Sequence, residues 1–199
     1  MKLKGHLVIA ASGYHGVGKD TLIDELIRHF SVRTKLPTRK VSGSYSIVKS
    51  VADATGGNIE DIYKLKNENP LTRWILEHVG TFYMGNQDII DNIRKDILAI
   101  QEPSLVFLTG VRTKLQEDFV RKEMRGILIN IEHHSLDDRG CIIKQEEILP
   151  SEVEIEKLGY DYRIINDGTL LKFHKHIQYV YDWILDSRLF QSYLKEEEN

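Results

Sequence analysis

The sequence predicts an α/β fold, a parallel five-stranded sheet with helices on both faces. Three observations predict it. Five short apolar runs alternate with longer stretches of helical period. The first run passes straight into a glycine-rich loop that ends in a lysine and opens a helix. The 199 residues contain no repeat and suit one core, so residues 1–199 are read as a single domain.

The elements follow in order. Leu7–Ser12 reads as a buried strand. Lys2 and Lys4 before it imitate the start of a signal peptide. The run is far shorter than the roughly 20 residues that span a bilayer, and it ends in Ser12-Gly13, so a strand is the better reading. Lys19–Phe30 is a helix with Leu22, Ile23, Leu26, Ile27 and Phe30 on one face. Thr38–Ser42 is a second strand. Tyr45–Ile100 is mostly helical and longer than a crossover requires. Leu105–Thr109, entered through Pro103, is a third strand, and Lys114–Met124 a helix. Gly126–Ile131 is the fourth strand. His133–Pro150 is irregular and polar, and Ser151 caps a short helix over Ser151–Leu158. Tyr162–Ile165 is the last strand, and one long helix closes the chain over Thr169–Phe190.

Composition narrows the function classes. A formal net charge of -3 argues against binding long nucleic acid. The single cysteine, Cys141, excludes an internal disulfide and suits a reducing cytoplasm, and no stretch suits a membrane. His133, His134, Cys141, His174 and His176 fit no compact zinc spacing. A homodimer is expected only from the general prevalence of two-fold pairs.

The sharpest motif is Gly13-Tyr14-His15-Gly16-Val17-Gly18-Lys19-Asp20-Thr21. Gly13, Gly16 and Gly18 let backbone N–H groups, Val17's among them, curl round a phosphate, and the helix N-terminus adds positive potential. Lys19 would reach the outer phosphates of ATP. The hydroxyl that usually follows this lysine and holds Mg²⁺ is replaced by Asp20, with Thr21 next. In this P-loop fold Asp20 is therefore read as a metal-side ligand and Thr21 as a hydroxyl for the phosphate or the metal.

Gly18-Lys19-Asp20-Thr21 resembles the deoxynucleoside monophosphate kinases of bacteriophages. Further segments are similar in the same order: Tyr45–Lys49, the Arg73-led helix ending in Gly80-Thr81, Phe107–Arg112, Pro150-Ser151-Glu152, and Tyr162–Ile165 with the Asn166-Asp167-Gly168-Thr169 turn. The resemblance implies ATP-dependent transfer of a phosphoryl group to a (deoxy)nucleoside monophosphate. It implies a helical acceptor-binding insertion at 45–100, a small lid at 132–158, and catalytic Lys19, Arg73 and Arg112. It places Lys49, Arg73, Arg112, Tyr45, Gly80 and Thr81 on the acceptor, and Asn166 and Gly168 on ATP; Arg139, in the polar stretch of the lid, is read either as a cation for the ATP phosphates or as an ordinary loop charge. Two departures stand out: Gly110 replaces an aspartate, and Gly85 lies near an expected arginine.

Independently, a phosphate acceptor calls for cations, and Arg39, Lys49, Arg73, Arg94 and Arg112 are the candidates. Tyr45, Trp74, Phe82 and Tyr83 are candidates for stacking on a base. Two alternatives stay open: another small-molecule kinase of this fold, such as a dephospho-coenzyme A kinase, and a nucleotide-binding regulatory protein with weakened chemistry.

Overall fold

A computed structural model of the chain describes residues 1–133, 135–136, 142–143, 152–167 and 169–195. Its centre is a five-stranded parallel sheet in the order β2-β3-β1-β4-β7. The strands are β1 (Leu7–Ser12), β2 (Thr38–Ser42), β3 (Leu105–Val111), β4 (Ile127–Glu132) and β7 (Tyr162–Ile165). β1 lies in the middle, with Leu7 beside Leu105 of β3 and Ile9 beside Ile127 of β4.

Side chains alternate across a strand, and the two faces divide accordingly. Leu7, Ile9 and Ala11 join Phe107, Ile127 and Ile129 against α1 (Lys19–Arg33) and α7 (Leu170–Asp186). Leu22, Leu26 and Phe30 of α1 and Ile177, Tyr181 and Ile184 of α7 fill that layer. Val8, Ala10, Val106, Leu108 and Leu128 face the other way, against Ile89, Ile90, Ile93 and Ile97 of α5 (Gly85–Leu98). Each strand is apolar on both sides because both sides are covered.

Between β2 and β3 the chain builds α2 (Gly43–Thr55), α3 (Ile59–Glu68), α4 (Pro70–His78), a π-helical turn at Val79–Met84, and α5. Local chemistry sets these boundaries. The Asn58 side chain accepts from the Glu60 and Asp61 amides, and that of Asn69 from Leu71 and Thr72, with Pro70 at the first turn.

Several expectations shift. The helix expected at Lys114–Met124 is α6 (Lys114–Asp118) followed by a π-helical turn at Phe119–Glu123. Of the helix expected at Ser151–Leu158, the described residues show a 3-10 turn at Ile155–Lys157, and Ser151 lies outside them. The closing helix breaks at Ser187, whose backbone is extended and whose Oγ accepts from the Phe190 amide to start α8 (Arg188–Tyr193). The stretch expected to be irregular contains a short antiparallel pair, β5 (Ser135–Leu136) and β6 (Ile142–Ile143). β3 runs two residues past Thr109 through Gly110, at φ +88, with a register shift against β1.

Candidate active site

In an open parallel sheet the carboxyl ends of the strands share one rim, and a crevice opens there. Along this rim lie the β1–α1 loop, the start of α2, Gly110 to Thr113 at the end of β3, and Asn166 after β7. A cavity of about 450 Å³ occupies the crevice. It runs from Gly16, Gly18, Lys19, Asp20 and Thr21 to Ile47, Leu76, Gly80 and Thr81 of the insertion.

The β1–α1 loop has the P-loop form of strand, glycine turn and helix. Gly13 (φ +137) and Gly18 (φ +102) lie where only glycine is relaxed. A Cβ on Gly13 would also sit 2.4 Å from the Ile131 carbonyl oxygen. The Asn166 side chain donates to the Val17 carbonyl at 3.0 Å, tying the end of β7 to the loop. Thr169 caps α7 and Asp167 pairs with Lys172, so this turn also starts a helix, as expected.

Lys19 is 9% exposed and folds over its own loop, donating to the carbonyls of Gly13 (2.7 Å) and Tyr14 (2.5 Å). Burial, and then the Arg112 guanidinium, push its ammonium down to about 8. Thr21 lines the cavity wall. Asp20 does too, with its side chain largely in solvent, 3.3 Å from Lys40 of β2. The Tyr14 hydroxyl donates to Glu156 at 3.1 Å, and burial raises its pKa to about 12.

Arg112 and Arg73 both reach the cavity. Arg112 Nη1 donates to Glu77 at 2.6 Å, and its Nη2 stands 3.9 Å from Glu152. Arg73 meets His15 Nε2 at 2.5 Å, which joins the insertion to the P-loop. Burial, and then Arg73, lower the His15 pKa, so the ring is neutral near pH 7 and accepts from the guanidinium.

Glu152 was not singled out as a site residue by sequence. It is fully buried, and neither carboxylate oxygen has a hydrogen-bond partner. Burial raises its pKa. Arg112 and Lys19 oppose that rise, and so does the His15 backbone N–H, whose geometry falls short of a hydrogen bond.

Other expected residues lie elsewhere. α2 turns Gly43, Ser44, Ile47 and Val48 to the cavity, which leaves Lys49 and Tyr45 off its wall. Tyr45 stacks on Tyr63 at 6.4 Å instead. Arg39 pairs with Glu102, and Arg94 with Asp91 and Glu123. Trp74, Phe82 and Tyr83 are exposed. Arg139, Gly168, His134 and Cys141 lie outside the described residues. Among the described residues no three His, Cys, Asp or Glu side chains cluster to hold a metal, and no helix is long and apolar enough to cross a membrane.

No family model matches this chain, and no curated protein matches it. The solved structures similar to it include three kinases. Shikimate kinase from Aquifex aeolicus is 14% identical over 88% of this chain and 96% of its own, with a TM-score of 0.45. APS kinase from Mycobacterium tuberculosis is 9% identical over 89% and 98%, with a TM-score of 0.46. A sugar kinase from a Janibacter species is 15% identical over 90% and 94%, with a TM-score of 0.38. Likeness at this level carries no argument about activity.

Proposed function

We propose that the protein transfers the γ-phosphoryl group of ATP to a nucleoside monophosphate, with a deoxynucleotide as the acceptor its sequence resemblance favours. One observation carries the reading. One cavity is lined by the P-loop lysine, Lys19, and by two arginines, Arg73 and Arg112, which we read as a donor half and an acceptor half.

Phosphoryl transfer asks for positioning and positive charge. The loop amides take the β- and γ-phosphates, and Lys19 exchanges its two carbonyl partners for phosphate oxygens. Arg112 and Arg73 hold the acceptor phosphate and offset its repulsion with the donor. An acceptor oxygen bonds to the γ-phosphorus as the bond to the β–γ bridging oxygen breaks, and ADP leaves with that electron pair. The attacking oxygen is already anionic, so no general base is required. His15 serves instead by holding Arg73 in place.

Asp20 and Thr21 offer hard oxygens on the cavity wall, which suits Mg²⁺, with phosphate and water completing its shell. When bound, that ion neutralises charge on the donor phosphates. Gly110 brings no carboxylate to the site, and its left-handed backbone disfavours one. The lid role of 132–158, with Arg139, belongs to this proposal as the part that excludes water.

A panel of ribo- and deoxynucleoside monophosphates with ATP, read by coupled ADP release, tests the reading. Turnover on at least one acceptor, lost in Lys19→Ala, is expected. ATP binding without turnover on any acceptor would overturn it in favour of a nucleotide-binding regulatory protein.

A further inference from the structure

We infer that Lys66 of α3 is a third phosphate-binding cation of the acceptor half, making this site selective for a phosphorylated acceptor over its unphosphorylated counterpart. The inference rests on the kinase reading but is separable from it by experiment.

Lys66 lines the cavity and makes no ion pair among the described residues. Its Nζ donates to Ser44 Oγ at 3.0 Å, which leaves two of its three N–H donors. Its other neighbour is the face of the Tyr63 ring, 5.3 Å away. Burial, and next the Arg112 charge, lower its pKa. An ammonium in such a place is costly unless an anion joins it.

The carboxylates on the cavity wall are engaged elsewhere. Glu77 accepts from Arg112, Asp20 faces Lys40, and Glu154 accepts from the Lys114 amide at 2.7 Å. Arg73 adds a second unmet need, because its Nε is buried without a partner. Lys66, Arg73 and Arg112 thus converge from three segments on one enclosure. A phosphate monoester, dianionic at neutral pH, answers that charge; a neutral hydroxyl acceptor does not.

The Lys66 head group is held by a built support. Ser44 Oγ lies 2.9 Å from Ser42 Oγ and 3.3 Å from the Tyr63 hydroxyl. Tyr45 stacks on Tyr63. Tyr45 therefore supports the ring beneath Lys66 rather than stacking on a base.

The test compares wild type, Lys66→Met and Lys66→Arg by steady-state kinetics, and by calorimetry with a nucleoside monophosphate and the matching nucleoside. Loss of one charge-assisted contact predicts an acceptor KM raised roughly ten- to a hundredfold in Lys66→Met. The ATP KM should stay within about twofold, nucleoside binding should not change, and Lys66→Arg should recover part of the loss. An unchanged acceptor KM, or a loss that falls on ATP instead, overturns the inference while the kinase reading stands. If wild type turns over no acceptor yet binds a monophosphate in a Lys66-dependent way, the site stands and the kinase reading falls. If monophosphate binding ignores Lys66, or wild type binds no monophosphate, the inference falls. Should Lys66→Met unfold, Lys66→Gln carries the same comparison.

Discussion

At the scale of single residues, Lys19 bears the clearest consequence. Burial holds its ammonium near 8, and an anion beside it favours the charged form. Triphosphate binding therefore raises its pKa and takes up a proton where the free lysine is neutral. The sign follows: affinity is flat below about pH 8 and weakens above it, by up to about tenfold per pH unit. Titration calorimetry with ATP in buffers of different ionisation heat should show proton uptake at pH 9 and little at pH 7. Lys19 and the glycines were legible in the sequence because a contiguous motif imposes its own geometry. Lys66 was less so. It lies two residues from Lys64, which has Glu60 and Asp61 one turn before it, whereas no acidic residue stands three or four positions from Lys66. That missing partner was the available signal, and it is weak until the fold shows which way α3 faces.

At the scale of elements, the five strands and their helices were legible because two-sided burial writes continuous apolar runs. The breaks inside helices were not. The π-helical turns at Val79–Met84 and Phe119–Glu123 lie within unbroken helical periods, and the stop at Ser187 depends on one extended backbone. The first of these turns shapes part of the cavity wall. Gly80 lies against Ile47 so closely that a Cβ would stand 2.5 Å from Ile47 Cδ1. Gly80→Ala must push that side chain into the cavity or shift the turn. The atom met is the far end of the flexible Ile47 side chain, so a loss of no more than about 1 kcal/mol is expected, read as a slightly lowered thermal unfolding midpoint, together with a raised acceptor KM. Gly80→Ala with wild-type stability and kinetics would show that the turn yields without cost.

At the scale of the whole molecule, Glu152 lies where three parts meet: the P-loop through Lys19, the strand rim through Arg112, and the segment that leads into β7. Position 152 entered the sequence reading only through a resemblance, since burial of a glutamate leaves no periodic trace. Its folded pKa is raised, so the protonated form favours folding, and stability falls as pH rises from the unfolded value through the folded one. Glu152→Gln removes that cost. The variant should unfold at a higher temperature than wild type at pH 7, and the gap should close below the ordinary glutamate range of about 4.3. Calorimetric scans at pH 7 and pH 4 check this. The variant should also lose activity, because Arg112 and Lys19 lose their buried counter-charge. An equal gap at both pH values would place the cost of Glu152 outside its ionisation.

The central place of β1 has a consequence for amide exchange with solvent. Its residues are wholly enclosed, and Ile9–Ser12 pair with strands on both sides, so their N–H groups should exchange only when the entire chain unfolds. Among the described residues, α3 has no buried side chain and α4 has one, Leu76. Their amides should exchange through small openings that leave the sheet intact. Deuterium uptake should thus split the protein into a slow half under the P-loop and a fast half around the acceptor. Adding a monophosphate should slow the fast half alone.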